Sequence, residues 1–205
     1  EQSLLAVIHR MDEIAVKLEN LQYQLYASTL EQIFYAVVKL VPKELTRSSD
    51  RSWSLYQQIK KTTNEPIIFA NAEVGVLVLI DKHYGAMVTG NTIEATETYN
   101  TTKELCNKLN HPESSSIFMA EKALFAHVRQ EQIAFHEVQK VNQGIQKDPL
   151  FGGWAKIALG KLLLSKGQFD EGVRQVESGL SDMVVTWGES ADVCYGAILL
   201  DSYLK

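Results

Sequence analysis

Five histidines are the first residues to test for chemistry: His9, His83, His111, His127 and His136. A zinc site needs ligands spaced so that ring nitrogens and an acid converge, as in His-x3-His or HExxH on one helix face. None of the five has that spacing. His127 and His136 flank one predicted turn, where a surface or interface position accounts for both better than metal ligation does. Glu121, Glu131 and Glu137 are acids available for proton transfer, yet solvated helix faces account for them equally well. Gly85-x4-Gly90 imitates the spacing of a phosphate loop, but Asn91-Thr92 follow and no lysine reaches for a phosphate. Gly152-Gly153 reads more simply as a turn between helices. No G-x-S-x-G elbow presents a serine nucleophile. Cys106 and Cys194 fall on predicted helix faces and read as buried thiols of a reducing compartment, with a disulfide or a metal site disfavoured. The residues point to no enzyme, no cofactor and no metal. Function is expected at a surface.

Composition narrows the kind of surface. A net charge of −5 and a pI near 5.6 leave no basic footprint for nucleic acid. No apolar run approaches the roughly 18–20 residues that a membrane span requires; the longest, Val74 to Ile80, reads as a buried helix segment. Only four prolines occur, which suits long helices. The chain starts at Glu1 with no signal peptide, and a cytoplasmic piece of a longer protein is expected, with targeting signals outside it.

Hydrophobic periodicity then places the elements. Residues 1–25 predict one amphipathic helix: Leu4, Ile8, Met11, Ala15 and Leu18 recur at four and three, and Ile14, Leu21 and Leu25 widen the stripe, enough for a short coiled coil. Ser28-x-x-Glu31 is a capping-box candidate opening a second helix that Pro42 ends. Thr46 to Asp50 reads as a polar turn, and a third helix carries Trp53, Tyr56 and Ile59. Pro66 to Lys82 reads as a helix apolar nearly all round; a strand over Val74–Ile80 is the alternative, disfavoured because no turn signal interrupts the run. Residues 86–109 predict another helix, its stripe being Ala95, Tyr99, Thr102, Cys106 and Leu109. Asn110-x-x-Glu113 with Pro112 marks the next start. Met119, Ala120, Ala123 and Leu124 belong to that helix, and Ala134, Val138 and Val141 to its partner. Asp148-Pro149 caps the helix after them.

From Trp154 to Leu180 two helices are joined by a tight turn. Leu159, Leu163, Phe169 and Val176 fill a seam, Gly167 breaks the run, and Gly160, Gly172 and Gly179 let the two backbones approach. The motif recurs as apolar-Gly-x2-apolar in Val74-Gly75-x2-Val78, Leu159-Gly160-x2-Leu163 and Tyr195-Gly196-x2-Leu199. The stripes 95/99/102, 134/138/141 and 172/176/179 share four-three spacing at offsets of 39 and 38 residues. This resembles the tetratricopeptide repeat, W-x2-L-G-x2-Y then A-x3-F then P over about 34 residues. Lys156 stands at the family's Trp position, Leu163 at its Tyr, Gly172 and Val176 in its A-x3-F, and no Pro closes the repeat. Over about residues 50–205, the LG helix, G-x-F-D-E-G, GL ending, WG linker and final LLDSYLK look like the repeat tail of large STAND-type signalling ATPases and regulators.

The resemblance implies an all-α fold, antiparallel helix pairs stacked as a right-handed TPR-like superhelix. Residues 1–65 would be N-terminal helices and 66–205 degenerate repeats. It further implies a protein–protein interaction or regulatory scaffold module of a larger signalling or transcription-regulatory protein. Its partner would be a protein or peptide, or another domain of the same polypeptide, with no nucleic acid and no membrane. Counting from Gly153, the groove-facing positions are Trp154, Ile157, Lys161, Leu164 and Ser165, with Ser190, Val193, Ala197, Leu200 and Asp201 as counterparts in the next unit. That set lacks the Lys/Asn constellation that clamps chaperone C-terminal carboxylates. Two other classes stay open: an oligomerisation module, pairing as a homodimer through helix 1–25, and an all-α enzyme with a pocket assembled from remote residues. Residues 188–205 are expected to form a first helix without its second, leaving an apolar face for another part of the protein or another copy to cover.

Overall fold

The computed structural model describes residues 2–39, 41–125, 135–145, 147–149 and 151–187. These are almost wholly helical. Contacts divide the chain into two compact units, Glu1–His111 and Pro112–Lys205. The first holds α1 (Gln2–Lys17), α2 (Leu21–Ile33) running into a π-helical turn (Phe34–Lys39), α3 (Pro42–Lys60), a hairpin of β1 (Ile68–Phe69) and β2 (Ala72–Glu73), α4 (Val74–Val88) and α5 (Thr92–Leu109). The second holds α6 (Pro112–Phe125), α7 (Phe135–Ile145), α8 (Gly152–Ser165) and α9 (Phe169–Trp187).

Left-handed residues end four of these helices. Glu19 (φ 51°), Gly90 (φ 74°) and Gly167 (φ 75°) each follow a helix, and the next amide bonds back across the last turn. Asn20 N donates to Ala15 O at 2.9 Å, Asn91 N to Ala86 O at 2.8 Å and Gln168 N to Leu163 O at 3.0 Å. These six-to-one bonds satisfy carbonyls that the helix end would otherwise strand. Asn110 (φ 49°) ends α5 in the same conformation. The expected continuous helix 1–25 therefore breaks at 18–20, and Asn20 restarts the chain as N-cap by accepting from Tyr23 N at 3.1 Å. Gly90 closes α4 and lies outside α5, so the expected helix 86–109 begins instead at Thr92. Ser28 and Glu31 sit inside α2 and cap nothing. Thr46 to Asp50 lies inside α3, whose first turn carries Pro42.

The run from Pro66 is also interrupted. Ile68 pairs with Glu73 and Phe69 with Ala72, around Ala70 and Asn71, which both have positive φ. A two-residue hairpin loop whose twist matches its strands needs that conformation. Glu73 holds the hairpin down: its carboxylate accepts from Ile67 N at 2.8 Å, and Val74 N donates to Ile67 O at 2.8 Å. The helix then starts at Val74. The first unit's core gathers Leu25, Leu55, Tyr56, Ile67, Val74 and Val78, so elements on both sides of position 65 share it. Gly75 lies under the Tyr56 ring, where a Cβ would stand 2.5 Å from Cζ.

The two units repeat one pattern of adjacency. In the first, α2 pairs with α3, α4 packs on both, and α5 packs on α4. In the second, α6 pairs with α7, α8 packs on both, and α9 packs on α8. The α8–α9 contact is the closest in kind, because backbone meets backbone. A Cβ on Gly160 would lie 2.7 Å from Gly172 O and 2.5 Å from Val176 Cγ2. One on Gly179 would lie 2.7 Å from Gly153 O, and one on Gly153 would lie 2.8 Å from Gly179 O. No side chain fits these positions unless the helices part.

Glycines inside helices otherwise cost stability, so the two kinds should respond oppositely to alanine. Gly160→Ala is expected to destabilise by about 1–3 kcal/mol through overpacking. Gly144, on α7, would bring a Cβ no closer than 3.8 Å to Ser116 Oγ, and Gly144→Ala should gain up to about 1 kcal/mol of helix propensity. Urea unfolding followed by circular dichroism checks the pair; shifts of the same sign would contradict the close approach.

Candidate partner-binding face

Helix α8 sorts the expected groove residues onto two faces. Trp154, Lys161 and Ser165 stand at i, i+7 and i+11, which is one line along a helix. Ile157 and Leu164 stand on another. Ile157 is fully buried and Leu164 nearly so. Both are seam residues: the missing Cβ of Gly179 would meet Ile157 Cγ1 at 2.7 Å, and that of Gly172 would meet Leu164 Cγ at 2.8 Å. These two hold α9, and an outside partner does not reach them while the pair is closed.

The first line is partly exposed. Trp154 and Lys161 are half-buried and Ser165 is exposed. Trp154 packs edge-on to Phe151, ring centroids 6.3 Å apart. Lys161 Nζ donates to Leu124 O at 3.0 Å, so its ammonium stands at the C-terminal turn of α6, where stranded carbonyls favour a cation. Ser165 Oγ turns back to Leu162 O at 2.8 Å. The entry of the chain into α8 is fixed by Asp148, whose Oδ1 accepts from Phe151 N at 3.0 Å. Lys156, at the position where the repeat pattern has tryptophan, reaches α9 instead, donating to Asp182 at 2.6 Å and Ser178 at 3.1 Å. Ser190 and Asp201, with Val193, Ala197 and Leu200, lie outside the described residues, as does the whole of the expected terminal helix 188–205.

The other residues weighed for chemistry are scattered. His9 is half-exposed and 3.4 Å from the carboxylate of Glu31, which also receives Arg47 at 3.1 Å. His83 is buried with its ring 5.8 Å from that of Tyr99. His136 and Glu137 are exposed on α7, Glu121 is buried in α6, and His127, Glu131 and Cys194 lie outside the described residues. Burial pushes the Cys106 thiol up to about 12, far from thiolate chemistry. Among the described residues no three His, Cys, Asp or Glu side chains are grouped as metal ligands, and no helix is long and apolar enough to cross a membrane.

Two buried acids escaped the reading of the sequence. Glu73 is fully enclosed; burial raises its pKa, against the lowering effects of the Tyr56 hydroxyl, Ile67 N, Lys60 and His111. Burial, and secondarily the Glu73 charge, raises the pKa of Tyr56 in turn. Asp81 ends the apolar run of α4 and is 5% exposed. Desolvation alone lifts its carboxyl to about 7. An acid embedded in Val74-Gly-Val-Leu-Val-Leu-Ile-Asp81 was the available signal, since a helix apolar on every side leaves its charged residue no exit to water.

No family model, curated protein or solved structure matches this chain.

The Asp81 environment predicts an unusual pH dependence. The folded protein holds the Asp81 proton more tightly than the unfolded chain, so the contribution of Asp81 to stability is fully present below about pH 3.8 and is lost as pH rises to about 7. At about 1.4 kcal/mol per pH unit, ionising Asp81 in the fold costs on the order of 4 kcal/mol by pH 7. Asp81→Asn should therefore be less sensitive than the parent between pH 4 and pH 8, as read by denaturant unfolding across that range. Parallel pH profiles for the two proteins would show that Asp81 reaches water.

Proposed function

We propose that this chain is a protein-interaction module, a stack of TPR-like helix pairs that belongs to a larger cytoplasmic signalling or regulatory protein and has a binding role, not a catalytic one. The observation that carries the reading is the adjacency found in both units, in which a helix packs on both members of the preceding pair and then carries its own partner. Stacks of this kind cannot bury each pair alone, and they grow by adding neighbours. They present their first helices side by side along one face. In the second unit α6 and α8 are those helices, and the Lys161–Leu124 contact joins them.

On this reading the partner is a peptide or an extended segment of another domain. It lies along the line of Trp154, Lys161 and Ser165, the part of α8 that its packing on α9 leaves partly exposed. Trp154 supplies apolar area, Lys161 positive charge at the end of α6 that favours an acidic side chain, and Ser165 a hydroxyl that accepts a further hydrogen bond. Ile157 and Leu164 contribute by keeping α8 straight against α9. A switch domain upstream, as in the signalling ATPases whose repeat tails this chain resembles, would be one source of such a segment.

Selection from a random displayed-peptide library against the 205-residue chain tests the reading. Enriched peptides should carry acidic residues beside an aromatic or aliphatic anchor. Lys161→Glu should weaken them at least about tenfold, in line with the loss of a charge-assisted contact. Ser165→Ala should weaken them less, with helicity unchanged in both. Enrichment of peptides whose binding ignores Lys161 would place the partner elsewhere.

A further inference from the structure

Helix α1 uses only part of its apolar surface within its own unit. Ile8 and Ala15, 3% and 2% exposed, face inward, and two polar contacts lock the same side. Arg51 of α3 clasps Asp12 with both carboxylate oxygens, at 2.6 and 2.7 Å, and His9 meets Glu31. A second stripe runs beside it. Leu4 (50%), Val7 (56%), Met11 (39%), Ile14 (45%) and Leu18 (69%) are all open to solvent. Their spacing is three-four-three-four, the a and d positions of a heptad.

We infer that this stripe is the contact between two copies of the chain, a second α1 meshing with the first so that the α1–α2 pairs of two molecules form a four-helix seam. Three observations favour a copy over a different partner. First, every position of the stripe is aliphatic or Met. Such a surface complements itself, which a two-fold interface requires. Second, the basic residues along its edge are answered by an acid of the same helix: Arg10 is paired with Glu13 at 2.8 Å, and Lys17, one turn further on, acts on the same carboxylate. Third, the area fits. The five side chains, with Leu21 at 38%, leave roughly 500 Å² of apolar surface uncovered, at the upper end for one patch on a monomer. A standard interface buries about 800 Å² per partner, a little over half of it apolar, so the stripe supplies the apolar share of one half. The clasp of Arg51 on Asp12 also fixes α1 before any partner arrives, which spares the entropy of ordering it.

This contact lies in the first unit and does not depend on the reading of α8. Light scattering and sedimentation of the 205-residue chain over a wide concentration range test it. The parent should reach twice the 23.0 kDa chain mass. Met11→Asp with Leu18→Asp, both at exposed positions, should raise the dimer dissociation constant at least about a hundredfold, as expected for unpaired charges placed in a buried seam. Ile93→Asp, at an exposed apolar position on α5 (73%), should leave association unchanged, and circular dichroism should confirm equal helicity in all three. A parent that stays monomeric throughout, a dimer that survives the double change, or one that Ile93→Asp disrupts equally would overturn the inference.

Discussion

Backbone contact between α8 and α9 is the constraint on which the second unit rests. Helix axes usually stand 8–10 Å apart because side chains keep them there. Here Gly153, Gly160, Gly172 and Gly179 remove the spacers at the crossing points. The gap that remains is filled by Ile157, Leu164 and Val176, all buried. Once α9 occupies that face, the inward faces of α8 are committed to α6, α7 and α9, and what remains outward is the line of Trp154, Lys161 and Ser165. Which line of α8 stays partly exposed is thus a consequence of which residues are too small to keep two helices apart.

The gap between α2 and α3 in the first unit is closed differently. Between α2 and α3 the small residues are serines. Ser52 Oγ donates to Ser28 Oγ at 2.8 Å, Ser28 Oγ bonds to Ser48 O at 3.4 Å, and Gln32 Nε2 reaches Val78 O of α4 at 2.8 Å. Each bond offsets the cost of burying a polar atom. They also set register, because a slipped pairing would strand these groups in an apolar core. Asp81 of α4 and Glu73 of the hairpin are further buried polar groups of this unit, at an electrostatic cost that grows as they ionise. Glycine in the second unit brings close approach without that liability, at the expense of helix propensity.

Much of this was legible in the sequence, and the misreadings have physical causes. Gly167, Phe169 and the 172/176/179 stripe located α8, its turn and α9, because glycine signals both a left-handed stop and a close crossing. Asn110-Pro112 marked the boundary between α5 and α6 for similar reasons. The stop after α1 and the hairpin before α4 were missed because Glu19, Ala70 and Asn71 adopt positive φ without glycine, at a strain that composition does not advertise. Serines misled in the opposite direction. Ser28 and the Thr46–Asp50 run look like caps and turns because serine competes with the helix backbone, but Ser28, Ser48 and Ser49 are buried residues on the faces of α2 and α3. Of the expected groove, the periodicity placed all five α8 residues on one helix. It did not separate Ile157 and Leu164 from the other three, since i and i+7 pairs occur on both faces.

Nuclear Overhauser contacts test the α8–α9 crossing most directly, because they decay within a few ångströms. In the labelled chain the Hα protons of Gly160 should show strong contacts to the Val176 methyl groups, and those of Gly153 to the Met183 side chain, whose Cγ would lie 2.8 Å from a Gly153 Cβ. Contacts of that strength at both crossings are the result predicted. Their absence, in a chain whose circular dichroism remains helical, would mean that α8 and α9 stand at an ordinary side-chain distance and that the outward line on α8 is not set by the glycines.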